Sequence, residues 1–208
     1  MDSIPHYHNR GHMKILILGD SWAADWSRQH SEYLGWPNIV AEQHTVTNIA
    51  QAGVSQYSIL KQLDTVQPQD YDAVIISITS PYRVYTPQHP VHTSGLHANS
   101  DLIYTDLEHH ATENPDNKRL QSAVAYFEHH YDLGYAETVH HSMVERCLSR
   151  LMNPNIIVTS NIENNTDFVT GQTYIDGYPV YQSYPGKINH LSAEGNQIFS
   201  DIILREIT

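Results

Sequence analysis

The chain is 208 residues long, 40% of them apolar, with a formal net charge of −12. That length suits one α/β domain with a sizeable core, or at most two small ones. The acidic balance argues against a nucleic-acid backbone or an anionic membrane as partner. No run approaches the roughly 18 apolar residues of a membrane helix, and the single cysteine, Cys147, excludes an intrachain disulfide.

Residues 1–12, MDSIPHYHNRGH, are polar and carry three histidines ahead of a second methionine, Met13. They read as a tag or disordered leader, which leaves 13–208 as a single domain. Lys14–Leu18 is an apolar run and a predicted strand. A helix is expected from about Ala23 to Leu34. Trp22 and Trp26, four apart, then share one face directed at the sheet; an alternative places Trp22 in an acyl pocket. Thr45–Ala50 is a second predicted strand, Ser55–Val66 a helix, and Asp72–Thr79 a third strand, β-branched and almost wholly apolar.

From 81 to about 117 the pattern loses its period and is rich in Pro, His, Tyr and Asn, an insertion of the length that is functional or poorly ordered. Its His89, His92 and His97 are expected to be exposed. Lys118–Met152 reads as a long helix broken near Gly134, with Cys147 as a small core residue. Asn155–Ser160 is a fourth strand. The irregular segment 161–189 follows, and Leu191–Glu206 closes the chain as a helix. Strands alternating with helices predict βαβ crossovers and a flavodoxin-like, three-layer α/β/α sandwich with a parallel sheet of about five strands. In such a sheet ligands bind beyond the carboxyl ends of the strands. The turns after Leu18, Ala50, Thr79 and Ser160 share that edge.

Three features meet there. Gly19-Asp20-Ser21 follows the first strand, Gly53 lies in AQAGVSQ after the second, and His190 lies in NHLSAEGN at the last helix. Taken singly each has a structural reading. Asp20 or Ser21 caps a helix, Gly53 serves a turn, and His190 flanks a helix start that Ser192 caps. Taken together they supply a nucleophilic hydroxyl, an imidazole to take its proton, and backbone N–H donors for an oxyanion.

These blocks resemble those of the SGNH/GDSL hydrolase family. Gly19-Asp20-Ser21 matches its first block, Asn48 through Gly53 its second, and His190-Leu191-Ser192 with Glu194-Gly195 its last. The resemblance implies Ser21 as nucleophile, with Asp20 in support, Gly53 as an oxyanion donor and His190 as base. Two departures stand out. The third block, usually Gly-x-Asn-Asp, is here Ser77-Ile78-Thr79-Ser80, so that Thr79 or Ser80 becomes the candidate donor, with Arg83 adding charge. The family's acid lies three residues before the histidine, where this chain has Lys187. Three resolutions stay open: an acid from Asp176, Asp167 or Glu163, a Ser-His dyad oriented by a backbone carbonyl, or a site that no longer catalyses.

The reading is a serine ester hydrolase acting through an acyl-enzyme on small acyl esters or acetylated sugars, with no cofactor. No metal is expected, since the adjacent pairs His109-His110, His129-His130 and His140-His141 do not chelate and no structural zinc spacing is present. The alternatives are an inactive SGNH-like binding module and a flavodoxin-like phosphate binder. The latter lacks a glycine-rich loop, and Asp20 repels an anion. With no signal peptide or membrane span recognised, the expected location is the cytoplasm; the oligomeric state is left open.

Overall fold

The computed structural model describes residues 11–29, 34–95, 97–153, 155–162, 169, 171–187 and 190–207. Five strands form one parallel sheet in the order β2-β1-β3-β4-β5. They are β1 (Lys14–Leu18), β2 (Thr45–Asn48), β3 (Ala73–Ser77), β4 (Ile156–Ser160) and β5 (Thr173–Asp176). The central strands β1 and β3 are buried on both faces, which is why their sequences run continuously apolar.

Alternation along each strand builds two cores. Ile15, Ile17, Ile75 and Ile157 pack with Trp36, Phe199 and Ile203 on one face, beneath α1 (Trp36–Val40) and α7 (Ala193–Ile207). Leu16, Leu18, Val74, Ile76 and Val158 pack with Ile59, Val144 and Cys147 on the other, beneath α2 (Gln56–Gln62) and α5 (Leu133–Arg150). The remaining described α-helices are α3 (Tyr104–Glu113), α4 (Lys118–His129) and α6 (Tyr178–Ser183). This is the α/β/α sandwich that the sequence predicts. Its strand order is the flavodoxin-like one, which opens a crevice between β1 and β3 where the crossovers diverge.

Three elements differ from expectation. The helix expected over 23–34 is replaced by a 3₁₀ turn at Trp26–Gln29 and the short α1. The carbonyls that would start that helix are taken by side chains. Ser21 O accepts Trp26 Nε1–H, Trp22 O accepts Trp36 Nε1–H, and Ala23 O accepts Asn48 Nδ2–H, at 2.8–2.9 Å. The break expected near Gly134 falls at His130–Asp132, where Asp132 caps α5 by accepting Tyr135 N–H at 2.7 Å. The segment from 81 is ordered by its own bonds. Val84 and Leu102 exchange backbone hydrogen bonds of 2.9 Å, and α3 follows. The edge strand β5, with Ile175 as its one buried residue, carries too few apolar positions to stand out in the sequence.

Candidate active site

The turn after β1 is held from below. The Gln62 side-chain amide accepts Gly19 N–H at 2.9 Å and donates to Gly19 O at 3.0 Å. Gly19 lies against β3 so closely that a Cβ would sit 2.6 Å from Ser77 Cβ. Asp20, 5% exposed, then accepts three donors: Trp22 N–H at 3.1 Å, Ser77 Oγ–H at 3.3 Å and Thr79 Oγ1–H at 2.9 Å. That carboxylate fixes the turn and presents Ser21, half-buried, at its apex.

A cavity of about 520 Å³ opens over this turn, beyond the carboxyl ends of the strands. Ser21, Gly53 and His190 all line it, together with Asp20, Ser80 and Arg83. Thr79 is a correction. Its side chain is fully buried, it is absent from this cavity's wall, and its hydroxyl donates to Asp20, so it braces the Ser21 turn rather than facing the cavity.

Gly53 has φ +79°, and a Cβ there would meet Ser100 Cβ at 2.6 Å. The segment that follows Pro81 folds back onto this glycine. Asp101 N–H donates to Gly53 O at 2.9 Å. The buried Asp101 carboxylate accepts Ser55 N–H, Ser58 Oγ–H and Thr86 N–H at 2.6–2.9 Å. Ser100 also lines the cavity, and its buried hydroxyl has no hydrogen-bond partner among the described residues. Nothing in the sequence pattern singled it out.

His190 precedes α7, which Ser192 caps by accepting Gly195 N–H at 3.2 Å. Both His190 N–H and the ring Nδ1 lie against the Lys187 carbonyl, at 3.2 and 3.3 Å. A carbonyl only accepts, so in this contact Nδ1 carries the proton and Nε2 is left as the basic nitrogen. The residue at the position of the resembling family's acid thus meets the ring through its backbone carbonyl. Asp176 ends β5 and accepts Tyr178 N–H at 2.9 Å. Asp167 and Glu163 lie outside the described residues. Trp26 joins the two sides of the site: its Nε1–H donates to Ser21 O at 2.9 Å, and its ring meets His190 edge-on at 4.5 Å between centroids. Ser21 Oγ is hydrogen-bonded to no described residue. Trp22 is buried against Phe199 and Tyr181 instead.

The far wall of the cavity holds His92, His97 and Asp106. His92 Nε2 lies 2.9 Å from Asp106 Oδ2, and His89 Nε2 lies 3.7 Å from the same oxygen. His89 is 1% exposed, not on the surface as its loop setting suggested, and burial pushes its ring down to about 4. One ligand atom each from His89, His92 and Asp106 lie within 4.8 Å of one another, a spacing that fits a metal ion. The donor chemistry fits less well. His89 Nδ1 accepts Val91 N–H at 3.2 Å and His92 N–H at 3.0 Å, so the proton of the neutral ring sits on Nε2 and points at Asp106. Of the two rings, only His92 is hydrogen-bonded to Asp106; His89 Nε2, 3.7 Å from that carboxylate, is buried without a hydrogen-bond partner among the described residues.

No protein-family model matches the chain, and no curated protein matches it. Solved structures do show similarity. One is described as a lipolytic protein of the G-D-S-L family from Desulfitobacterium hafniense, at 13% identity and TM-score 0.47, over 93% of this chain and 98% of that one. A second is described as an acylhydrolase from Bacteroides fragilis, at 12% identity and TM-score 0.43, over 93% and 86%. A third is a salicylyl-acyltransferase from a tetracycline biosynthetic pathway, at 15% identity and TM-score 0.41, over 96% and 56%. No described helix is long and apolar enough to cross a membrane.

Proposed function

We propose that this chain is a serine acyl-ester hydrolase working through a Ser21–His190 dyad. The observation that carries the reading is the single cavity lined by Ser21, Gly53 and His190, three residues supplied by three separate turns on one edge of the sheet. In the first step Ser21 Oγ attacks the ester carbonyl carbon while His190 Nε2 takes the hydroxyl proton. The tetrahedral intermediate collapses, the carbon–oxygen bond to the leaving alcohol breaks, and the imidazolium returns its proton to that alcohol. Water, deprotonated by the same Nε2, then releases the acid and restores Ser21. The dyad needs a Ser21 Oγ–His190 hydrogen bond, of a kind that is often long in a free site and closes around substrate.

The N–H groups of Ser21 and Gly53 are the proposed oxyanion donors. Ser100, beside Gly53, is the candidate for the third donor that the resembling family takes from an asparagine. Lys187 offers a carbonyl dipole where a carboxylate would stabilise the imidazolium more strongly, so a slow enzyme is expected. Small acyl esters and acetylated sugars are the proposed substrates, without a cofactor.

The test is hydrolysis of p-nitrophenyl acetate by the wild-type chain and by Ser21→Ala, with a fluorophosphonate label read by mass spectrometry. Ser21-dependent turnover and labelling at Ser21 are the expected results. Equal background rates and no label would favour the second reading, a binding module on the same fold, for which Lys187 at the acid position is the specific observation.

A further inference from the structure

A second cavity, of about 290 Å³, lies beside the first, and the two share Arg83 in their walls. The sequence runs directly from one to the other: Gly53 and Ser80 line the first, while Ser55 and Pro81 line the second. Its lining includes five tyrosines, Tyr57, Tyr85, Tyr126, Tyr131 and Tyr135, with Met143 from α5. Tyr135, 70% exposed, lines it from the solvent side.

Polar groups without partners border this apolar space. Arg83 makes no hydrogen bond or ion pair with any described residue, and its Nε is buried. Tyr131 Oη is likewise buried and unpaired among the described residues. A buried donor of this kind is costly unless it has a mate. The guanidinium in particular presents a planar fork suited to a carboxylate. An aliphatic occupant would fill the volume but leave both donors unmet. A cationic occupant would be repelled by Arg83, although the Asp132 carboxylate, which caps α5 by accepting Tyr135 N–H, also lines the wall. The volume is at the small end for ligand cavities, which suits one or two fused rings, and tyrosine walls favour an arene by edge and face packing.

We infer that the tyrosine-lined cavity is a binding site for an aromatic carboxylate group, its ring among the tyrosines and its carboxylate on Arg83. The inference rests on the hydrolase reading only for its consequence, that such a group belongs to the substrate and sits adjacent to the reacting ester. The binding itself does not depend on Ser21.

The experiment is titration calorimetry with 2-naphthoate and with its uncharged counterpart 2-naphthalenemethanol. The proteins are wild type, Ser21→Ala, Arg83→Gln, and two variants that fill the cavity, Ala136→Trp and Met143→Trp, each checked by circular dichroism. Wild type and Ser21→Ala should bind naphthoate alike, about tenfold or more tighter than the alcohol. Arg83→Gln should erase that preference and keep the weaker aryl binding. At least one folded cavity-filling variant should lose both ligands. No naphthoate binding by wild type, an unchanged preference in Arg83→Gln, or undiminished binding in the folded filled variants would each overturn the inference. Naphthoate binding together with the absence of Ser21-dependent esterase activity would sustain this site while ending the hydrolase reading.

Discussion

Gly53 offers a quantitative check on how the site is built. Alanine there must adopt φ +79°, a conformation that costs a non-glycine residue about 1–3 kcal/mol. Its Cβ must also displace Ser100 Cβ, 2.6 Å away. Ser100 cannot retreat freely, because the next residue, Asp101, is tied by its carboxylate to Ser55, Ser58 and Thr86. Overpacking of this kind typically adds about 1–3 kcal/mol. Gly53→Ala should therefore destabilise the fold by about 3 kcal/mol, lowering Tm by about 6–12 °C for a chain of this size. Urea denaturation of a double-mutant cycle separates the two contributions. Ser100→Gly removes the opposing Cβ, so in the Gly53→Ala background it should recover about 1 kcal/mol or more while leaving the φ penalty in place. A Gly53→Ala chain within about 0.5 kcal/mol of wild type would refute both the backbone argument and the packing of the 81–103 segment on the Gly53 turn; strictly additive variants would refute the packing alone.

Other outcomes follow from single side chains. Asp20→Asn leaves one acceptor oxygen for three donors and should cost about 1–3 kcal/mol with a parallel loss of esterase rate; thermal melts and p-nitrophenyl acetate turnover that both match wild type would sink this account of the turn. The His89 ring titrates at about 4 in the fold against 6.5 in the unfolded chain, through burial first and then the neighbouring His92 and His110, with Asp106 and Asp101 opposing. The unfolded chain therefore binds the extra proton, and stability is full above pH 6.5 and declines as pH falls toward 4. His89→Asn, which keeps an acceptor for the Val91 and His92 amides, should flatten the urea midpoint across that window; an unchanged slope would show that other groups govern it. Burial pushes the Cys147 thiol up to about 11, so Ellman's reagent should leave the native protein untouched and react fully only in guanidinium.

The parts legible in the sequence were those whose chemistry is local. β1, β3 and β4 announce themselves because a strand covered on both faces has to be apolar throughout. Ser21 and Gly53 follow β1 and β2, and His190 precedes α7, so each lies at an element boundary where a short motif marks both residue type and place. What stayed hidden was decided by distant partners. The expected helix after Ala23 is lost to indole and amide donors, two of them from Trp36 and Asn48, and no window of sequence contains that competition. His89 looked like a surface histidine until the fold placed Asp106 and His92 around it. Thr79 occupied the position of an oxyanion donor, yet its hydroxyl answers to Asp20, a residue on another strand's turn. A backbone carbonyl against His190 was one of three resolutions left open by the sequence; which carbonyl it is was not legible, because a backbone group carries no residue signature.

Trp26 ties the proposed nucleophile's backbone and the proposed base to one rigid ring, although they come from opposite ends of the chain. The spacing of the reacting pair is therefore a property of a third residue. Replacing Trp26 with a smaller ring would leave Ser21 and His190 chemically intact yet free to wander independently, the kind of defect that shows as lost turnover with little change in melting temperature.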